Sequence, residues 1–218
     1  FNKKALLDTS RGCPGHCAFC GIHKFFDEIH SVNRDSCSLK ELWWRPRSAA
    51  KVVDEIEYLY REFGIRGFDF VDDDFIGTDP GRAGEIAKGI INRGLKISFW
   101  FLTRSDAVCR AGEDLFKLLQ KAGLRQVFLG VESNDPGQLR NYGKGISPKQ
   151  NRRAIEILQG VGIPVRIGLI NFSRESSLVQ IRNNIEFVEE YSLQDCIPTP
   201  ASKLKIYTNT ALYERYSG

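Results

Sequence analysis

A triplet that ends a helix and opens a strand recurs along this chain, as Phe63-Gly64-Ile65, Arg93-Gly94-Leu95, Ala122-Gly123-Leu124 and Val161-Gly162-Ile163. Each follows a helical pattern and precedes a strand-like run. Glycine just past a helix accepts the left-handed conformation that closes it. The resulting units, roughly 30 to 40 residues long, have the size of one strand plus its crossover helix. Strands are expected at residues 5–8, 67–71, 96–102, 126–131, 164–170 and 204–207. The helices between them carry apolar residues at helical spacing, such as Val52, Ile56, Leu59 and Phe63, or Leu115, Leu118 and Leu119. Their starts are marked by Ser48, by Asp79-Pro80 and by Ser147-Pro148. Ser147 with Gln150, and Ser177 with Gln180, have capping-box spacing.

Strands alternating with helices imply a parallel sheet with right-handed crossovers. Six strands and five or six helices fit an open doubly wound sheet or an incomplete barrel. In both, ligands collect at the carboxyl ends of the strands. That rule selects residues 10–19, 72–75, 103–106, 132–133 and 171–174.

Composition narrows the class. The 218 residues suit one domain, and 42% hydrophobic with 27% charged residues is ordinary for a globular protein. No run approaches the roughly 20 apolar residues of a membrane span. The net charge of +4, with scattered basic residues, does not call for nucleic acid. Cys13, Cys17 and Cys20 crowd together, whereas Cys37, Cys109 and Cys196 are dispersed. A disulfide framework belongs to short secreted chains, so the crowding points to a metal in a reducing, cytoplasmic compartment.

The metal loop is Ser10-Arg11-Gly12-Cys13-Pro14-Gly15-His16-Cys17-Ala18-Phe19-Cys20, directly after the first expected strand. Three thiolates at this spacing suit a soft centre. A [4Fe–4S] cube held by three cysteines keeps one iron open for an exchangeable ligand. Zinc is the competing reading, with Cys37 closing a four-thiolate shell. His16 is read as a loop residue.

Cys-x3-Cys-x2-Cys at this place, with Phe19 before the last cysteine, resembles the signature of the radical S-adenosylmethionine (SAM) superfamily. Residues 10–26, 45–64, 68–75, 130–133 and 203–213 resemble most the group that includes its cobalamin-dependent members. The resemblance implies an α/β fold, a partial (β/α)6 TIM-like barrel, with residues 1–218 as the radical SAM core. A flanking N-terminal domain, cobalamin-binding in that group, and a C-terminal extension are expected outside the sequence given.

The resemblance further implies that Cys13, Cys17 and Cys20 hold a [4Fe–4S] cluster and that the open iron chelates SAM. Asp72 and Asp73 of the Asp72-Asp73-Asp74 run stand where the family binds the SAM amino group, in place of the more usual Gly-Gly-Glu. Glu132, assisted by Ser133, matches the residue that holds the ribose hydroxyls. Arg104 and Arg166 are candidates for the SAM carboxylate, and Phe19 places backbone near adenine. The implied activity is reductive cleavage of SAM driving radical chemistry on a small-molecule substrate. The leading form is a cobalamin-dependent methyltransferase or related biosynthetic enzyme. A cobalamin-independent dehydratase, dehydrogenase or epimerase is the alternative, and a non-catalytic Fe–S or zinc scaffold is the alternative of another class. The expected partners are the substrate and an electron donor such as flavodoxin or ferredoxin, with no membrane and no nucleic acid. Cys37, Cys109 and Cys196 are candidate hydrogen-atom donors or methyl carriers. The segment 25–44, with His30, Cys37, Trp43 and Trp44, is a candidate wall of the pocket.

Overall fold

A computed structural model describes residues 3–22, 43–198 and 201–217. Strand β1 (Lys4–Leu7) is followed by β2 (Ser10–Gly12) and β3 (Trp44–Pro46), then α1 (Ala49–Phe63), β4 (Gly67–Phe70) and α2 (Pro80–Asn92). The chain continues through β5 (Ser98–Arg104), α3 (Ser105–Ala122), β6 (Leu124–Glu132), α4 (Pro136–Asn141) and α5 (Pro148–Val161). It closes with β7 (Val165–Leu169), α6 (Leu178–Glu190), a 3-10 turn (Gln194–Cys196) and α7 (Ala211–Ser217).

Strands β1, β4, β5, β6 and β7 pair in that order and all in parallel, while β2 and β3 form a separate antiparallel ribbon. Spatial order that follows chain order is the rule of a barrel. A doubly wound sheet would reverse direction part-way. The expected caps form: Ser48, Asp79, Ser147 and Ser177 each accept a backbone N–H, and the last two make complete capping boxes with Gln150 and Gln180. Each supplies an acceptor to a helix end that lacks one.

The sixth expected strand, 204–207, does not form among the described residues. Just before it, Lys203 makes an isolated bridge with Phe172 beyond the end of β7, and Leu204 N donates to Phe172 O (2.7 Å). Lys205, Ile206 and Tyr207 then lie exposed. The apolar side chains that suggested a strand have no sheet face to bury against.

The two faces of the sheet divide the work. Phe68, Phe70, Phe99, Phe101, Val127, Leu129 and Ile167 point to the helices and form the core with Val52, Ile56, Ile86, Phe116, Leu119 and Leu158. The alternate residues Trp100, Leu102 and Phe128 point to the opposite, concave face. At the centre of the covered face, Phe75 stacks on Phe101 with ring centroids 4.3 Å apart, and Phe70 stacks on Phe99 at 4.9 Å. Fully buried aromatics in such contact carry a large share of core energy. Phe101→Ala should therefore cost about 3–5 kcal/mol. The loss would be read as a lower denaturation midpoint at unchanged m-value, and a loss below about 1 kcal/mol would contradict this placement of the core.

Candidate active site

The loop after β1 crosses the carboxyl ends of the strands, and Cys13, Cys17 and Cys20 all line one cleft there, about 480 Å³ in volume. The Cys20 amide donates to the Cys17 carbonyl (3.0 Å), which makes the turn between them. The Ala18 amide donates to Tyr142 O (2.7 Å), and Leu212 N donates to Ala18 O (2.9 Å), pinning the loop from two sides. Burial, reinforced by the nearby Asp74 carboxylate, pushes the Cys13 thiol up to about 12; burial also raises Cys20. Binding a metal here must displace those protons. Among the described residues, no three Cys, His, Asp or Glu side chains stand close enough to hold a single metal ion. A four-iron cube instead takes each thiolate on a different iron, so three thiols spread round one cleft fit it. Cys37 and His30 lie outside the described residues. His16 is exposed and sets its ring edge-on to Trp43 (3.9 Å).

The three aspartates after β4 face different ways. Asp72 is buried and its Oδ1 accepts from Thr9 N (3.1 Å), Thr9 Oγ1 (2.9 Å) and the Ser10 hydroxyl. Its Oδ2 is buried without a hydrogen-bond partner among the described residues. Asp73 lines the cleft and accepts from Gly12 N (3.0 Å). Asp74 is fully buried beneath, its Oδ1 bonded to Thr103 Oγ1 (2.7 Å). Burial raises both the Asp72 and the Asp74 carboxyls. An orphaned acceptor at the edge of a cleft is a place for a cationic ligand group, since buried polar atoms are costly when unpaired.

Across the cleft, Glu132 ends β6 with a left-handed backbone (φ 61°). Its carboxylate meets the buried ammonium of Lys144 at 3.1 Å. Burial opposes the charge on Lys144, but Glu132 and the nearby Cys17 outweigh it, and its pKa is raised. Lys144 lines the cleft and was not among the residues expected from the sequence. It sits in Gly143-Lys144-Gly145, and both glycines have positive φ (59° and 68°). A lysine between two turn-forming glycines was the available signal.

The other expected residues are placed as follows. Phe19 lines the cleft and packs edge-on against Tyr142 (5.9 Å). Arg104, at the end of β5, also lines it. Ser133 is fully buried; its hydroxyl donates to Asn184 Oδ1 (2.9 Å) and accepts from Asp135 N (2.9 Å), fixing the exit from β6 towards α4. Arg166 shares the concave face with its register partner Phe128 but is exposed, outside the cleft lining. Cys109 donates to Gln150 O (3.4 Å), and Cys196 packs against the core; neither lines the cleft.

The buried carboxylates make stability pH-dependent. Unfolded, Asp74 loses its proton near the ordinary 3.8, whereas the folded chain keeps it to higher pH. At this group the folded state therefore binds more protons, and the contribution of Asp74 to stability falls as pH rises above about 4. Asp74→Asn should melt higher than the parent at pH 7, with the gain shrinking towards pH 4. A gain that grows on acidification would reverse the sign.

The comparisons with known proteins agree with this geometry. The pattern of the radical SAM superfamily matches residues 7–185. An uncharacterized methyltransferase of Pyrococcus horikoshii is 30% identical over 96% of this chain, which is 41% of that relative. The 4'-phospho-dehydrooxetanocin synthase of Priestia megaterium is 30% identical over 87% of this chain and 26% of its own length. Among solved structures, the cobalamin-dependent SAM radical enzyme OxsB with aqua-cobalamin and SAM bound superposes with a TM-score of 0.76 at 26% identity. It covers 97% of this chain and 34% of that one. This chain thus spans well under half the length of these relatives. A parallel sheet in chain order, three cysteines on the loop after its first strand and a pattern match over most of the sequence lead to one family: the chain belongs to the radical SAM superfamily.

Proposed function

We propose that this chain is the catalytic core of a radical SAM enzyme that cleaves SAM reductively and directs the radical to a small molecule. The leading form is a cobalamin-dependent methyltransferase or related biosynthetic enzyme. The observation that carries the reading is the convergence of three thiols, an orphaned buried carboxylate oxygen and a Glu–Lys pair on one cleft at the strand ends. Its cobalamin part rests on the relatives, one named a methyltransferase and one solved with aqua-cobalamin.

Cys13, Cys17 and Cys20 would hold a [4Fe–4S] cluster, which supplies the electron for cleavage when bound. The residues of this chain then bind and orient. Asp72 Oδ2 and the Asp73 carboxylate offer acceptors to an ammonium. Glu132 offers two oxygens to a diol. Lys144, already turned into the cleft, offers its charge to a carboxylate. Trp100, Leu102 and Phe128 give the cleft an apolar wall that excludes water. Ser133 supports Glu132 from beneath by fixing the next turn, and Arg166 lies on the concave face where a substrate would extend. Among the described residues no helix is long and apolar enough to cross a membrane. A cytoplasmic enzyme reduced by flavodoxin or ferredoxin completes the reading.

The test is anaerobic reconstitution with iron and sulfide, followed by SAM and dithionite, with 5′-deoxyadenosine as the readout. Cys17→Ala should abolish the product. Tightly bound zinc with no 5′-deoxyadenosine would overturn the reading. Lys144→Met should weaken SAM binding by about ten- to a hundred-fold, since a charge-assisted hydrogen bond is worth about 1.5–3 kcal/mol; titration calorimetry measures it, and unchanged affinity would remove Lys144 from the SAM site.

A further inference from the structure

Arg104 ends β5 with a side chain only 7% exposed. Every nitrogen of its guanidinium is engaged. Nε donates to Asp106 Oδ1 (2.9 Å), Nη2 to the Lys144 carbonyl (2.7 Å) and Nη1 to Cys17 Sγ (3.6 Å). These bonds take three of the five guanidinium N–H groups, so the plane of the fork is fixed by protein partners on all three of its nitrogens. The cysteine loop lies directly on the guanidinium. A Cβ on Gly15 would stand 2.1 Å from Nη1 and 2.7 Å from Cζ, so only glycine permits this approach. Asp106 does not spend the whole charge, because it also pairs with Arg110 at 2.8 Å.

From this geometry we infer that Arg104 is a positioning residue for the iron–sulfur cluster rather than a SAM ligand: its hydrogen bond to Cys17 and its buried charge raise the cluster's reduction potential. The inference rests on the reading of Cys17 as a cluster ligand. Reduction adds an electron that spreads onto the thiolates. A cation and an N–H donor held at one of them stabilise the reduced form more than the oxidised one, which moves the potential upward. The same side chain reaches Lys144 O, so the thiol loop, the end of β5 and the Gly143-Lys144-Gly145 turn are tied through one group. The role that the resemblance offered to Arg104, partner of the SAM carboxylate, passes to Lys144.

The experiment compares the reconstituted parent chain with Arg104→Gln and Arg104→Lys. Iron and sulfide are assayed, and the midpoint potential is taken from an EPR-monitored redox titration without SAM. Arg104→Gln should keep a full cluster and shift the midpoint to a more negative value, and Arg104→Lys should recover part of the shift. An unmoved midpoint in a fully loaded Arg104→Gln protein, with SAM affinity lost instead, overturns the inference. Should Arg104→Gln fail to fold or load, the parent chain labelled with 15N-arginine decides. Pulsed EPR of its reduced cluster should show coupling to a guanidinium nitrogen, and absence of that coupling overturns the inference. A parent chain that takes up no iron and sulfide would sink the cluster reading as well, whereas a full cluster with an unmoved potential sinks only the role of Arg104.

Discussion

Charge kept out of water at the carboxyl ends of a parallel sheet must be met there by other charge or by hydrogen bonds, and the rest of this structure is arranged around that demand. Asp72, Asp74, Arg104 and Lys144 are each almost wholly buried, and Glu132 is nearly so. Thr9 and Ser10 lean on Asp72, Thr103 on Asp74, Lys144 on Glu132, and Asp106 on Arg104. Most of these partners come from a different strand end or loop. The strands must therefore be in register for the charges to be paired, and the pairing in turn holds the loops over the sheet.

The helix-covered side answers a simpler demand. Stacked phenylalanines from β4 and β5 and aliphatic side chains from β6 and β7 give a dry layer whose only requirement is close packing. Arg82 joins the two sides. It is buried, and it donates to the carbonyls of Thr9, Arg47 and Phe75, fastening the loop after β1 to the segment after β4. One buried guanidinium thus ties three loop segments beside the cleft to one another.

Much of this was legible in the sequence. Periodicity, glycine stops and capping residues located the helices because those signals act over a few neighbouring positions. The barrel rule, with the cysteine spacing, selected five segments, of which 10–19, 72–75, 103–106 and 132–133 reach the cleft lining and 171–174 does not. The sequence reasoning failed where a residue's meaning depends on distant partners. The run at 204–207 has strand-like composition, yet only a pairing surface could make it a strand. Lys144 lies twelve residues beyond Glu132, after a short helix, and nothing local announces that its ammonium returns to that carboxylate. Ser133 and Glu132 are adjacent, yet one carboxylate lines the cleft while the neighbouring hydroxyl is spent on Asn184, fifty-one residues on. For Arg104 the sequence offers only a charge at a strand end, and its three partners come from the loop after β1, from its own helix start and from a turn forty residues on.

The left-handed backbone at Glu132 sets comfort of the chain against content of the cleft. A non-glycine residue pays about 1–2 kcal/mol for that conformation, and the ladder to β7 slips register at the same place. Glycine would relax the bend while deleting the carboxylate, so a redesign that ranked substitutions by folding stability alone would favour the change that empties the site. Selection for thermal robustness and selection for ligand capture therefore pull this codon in opposite directions.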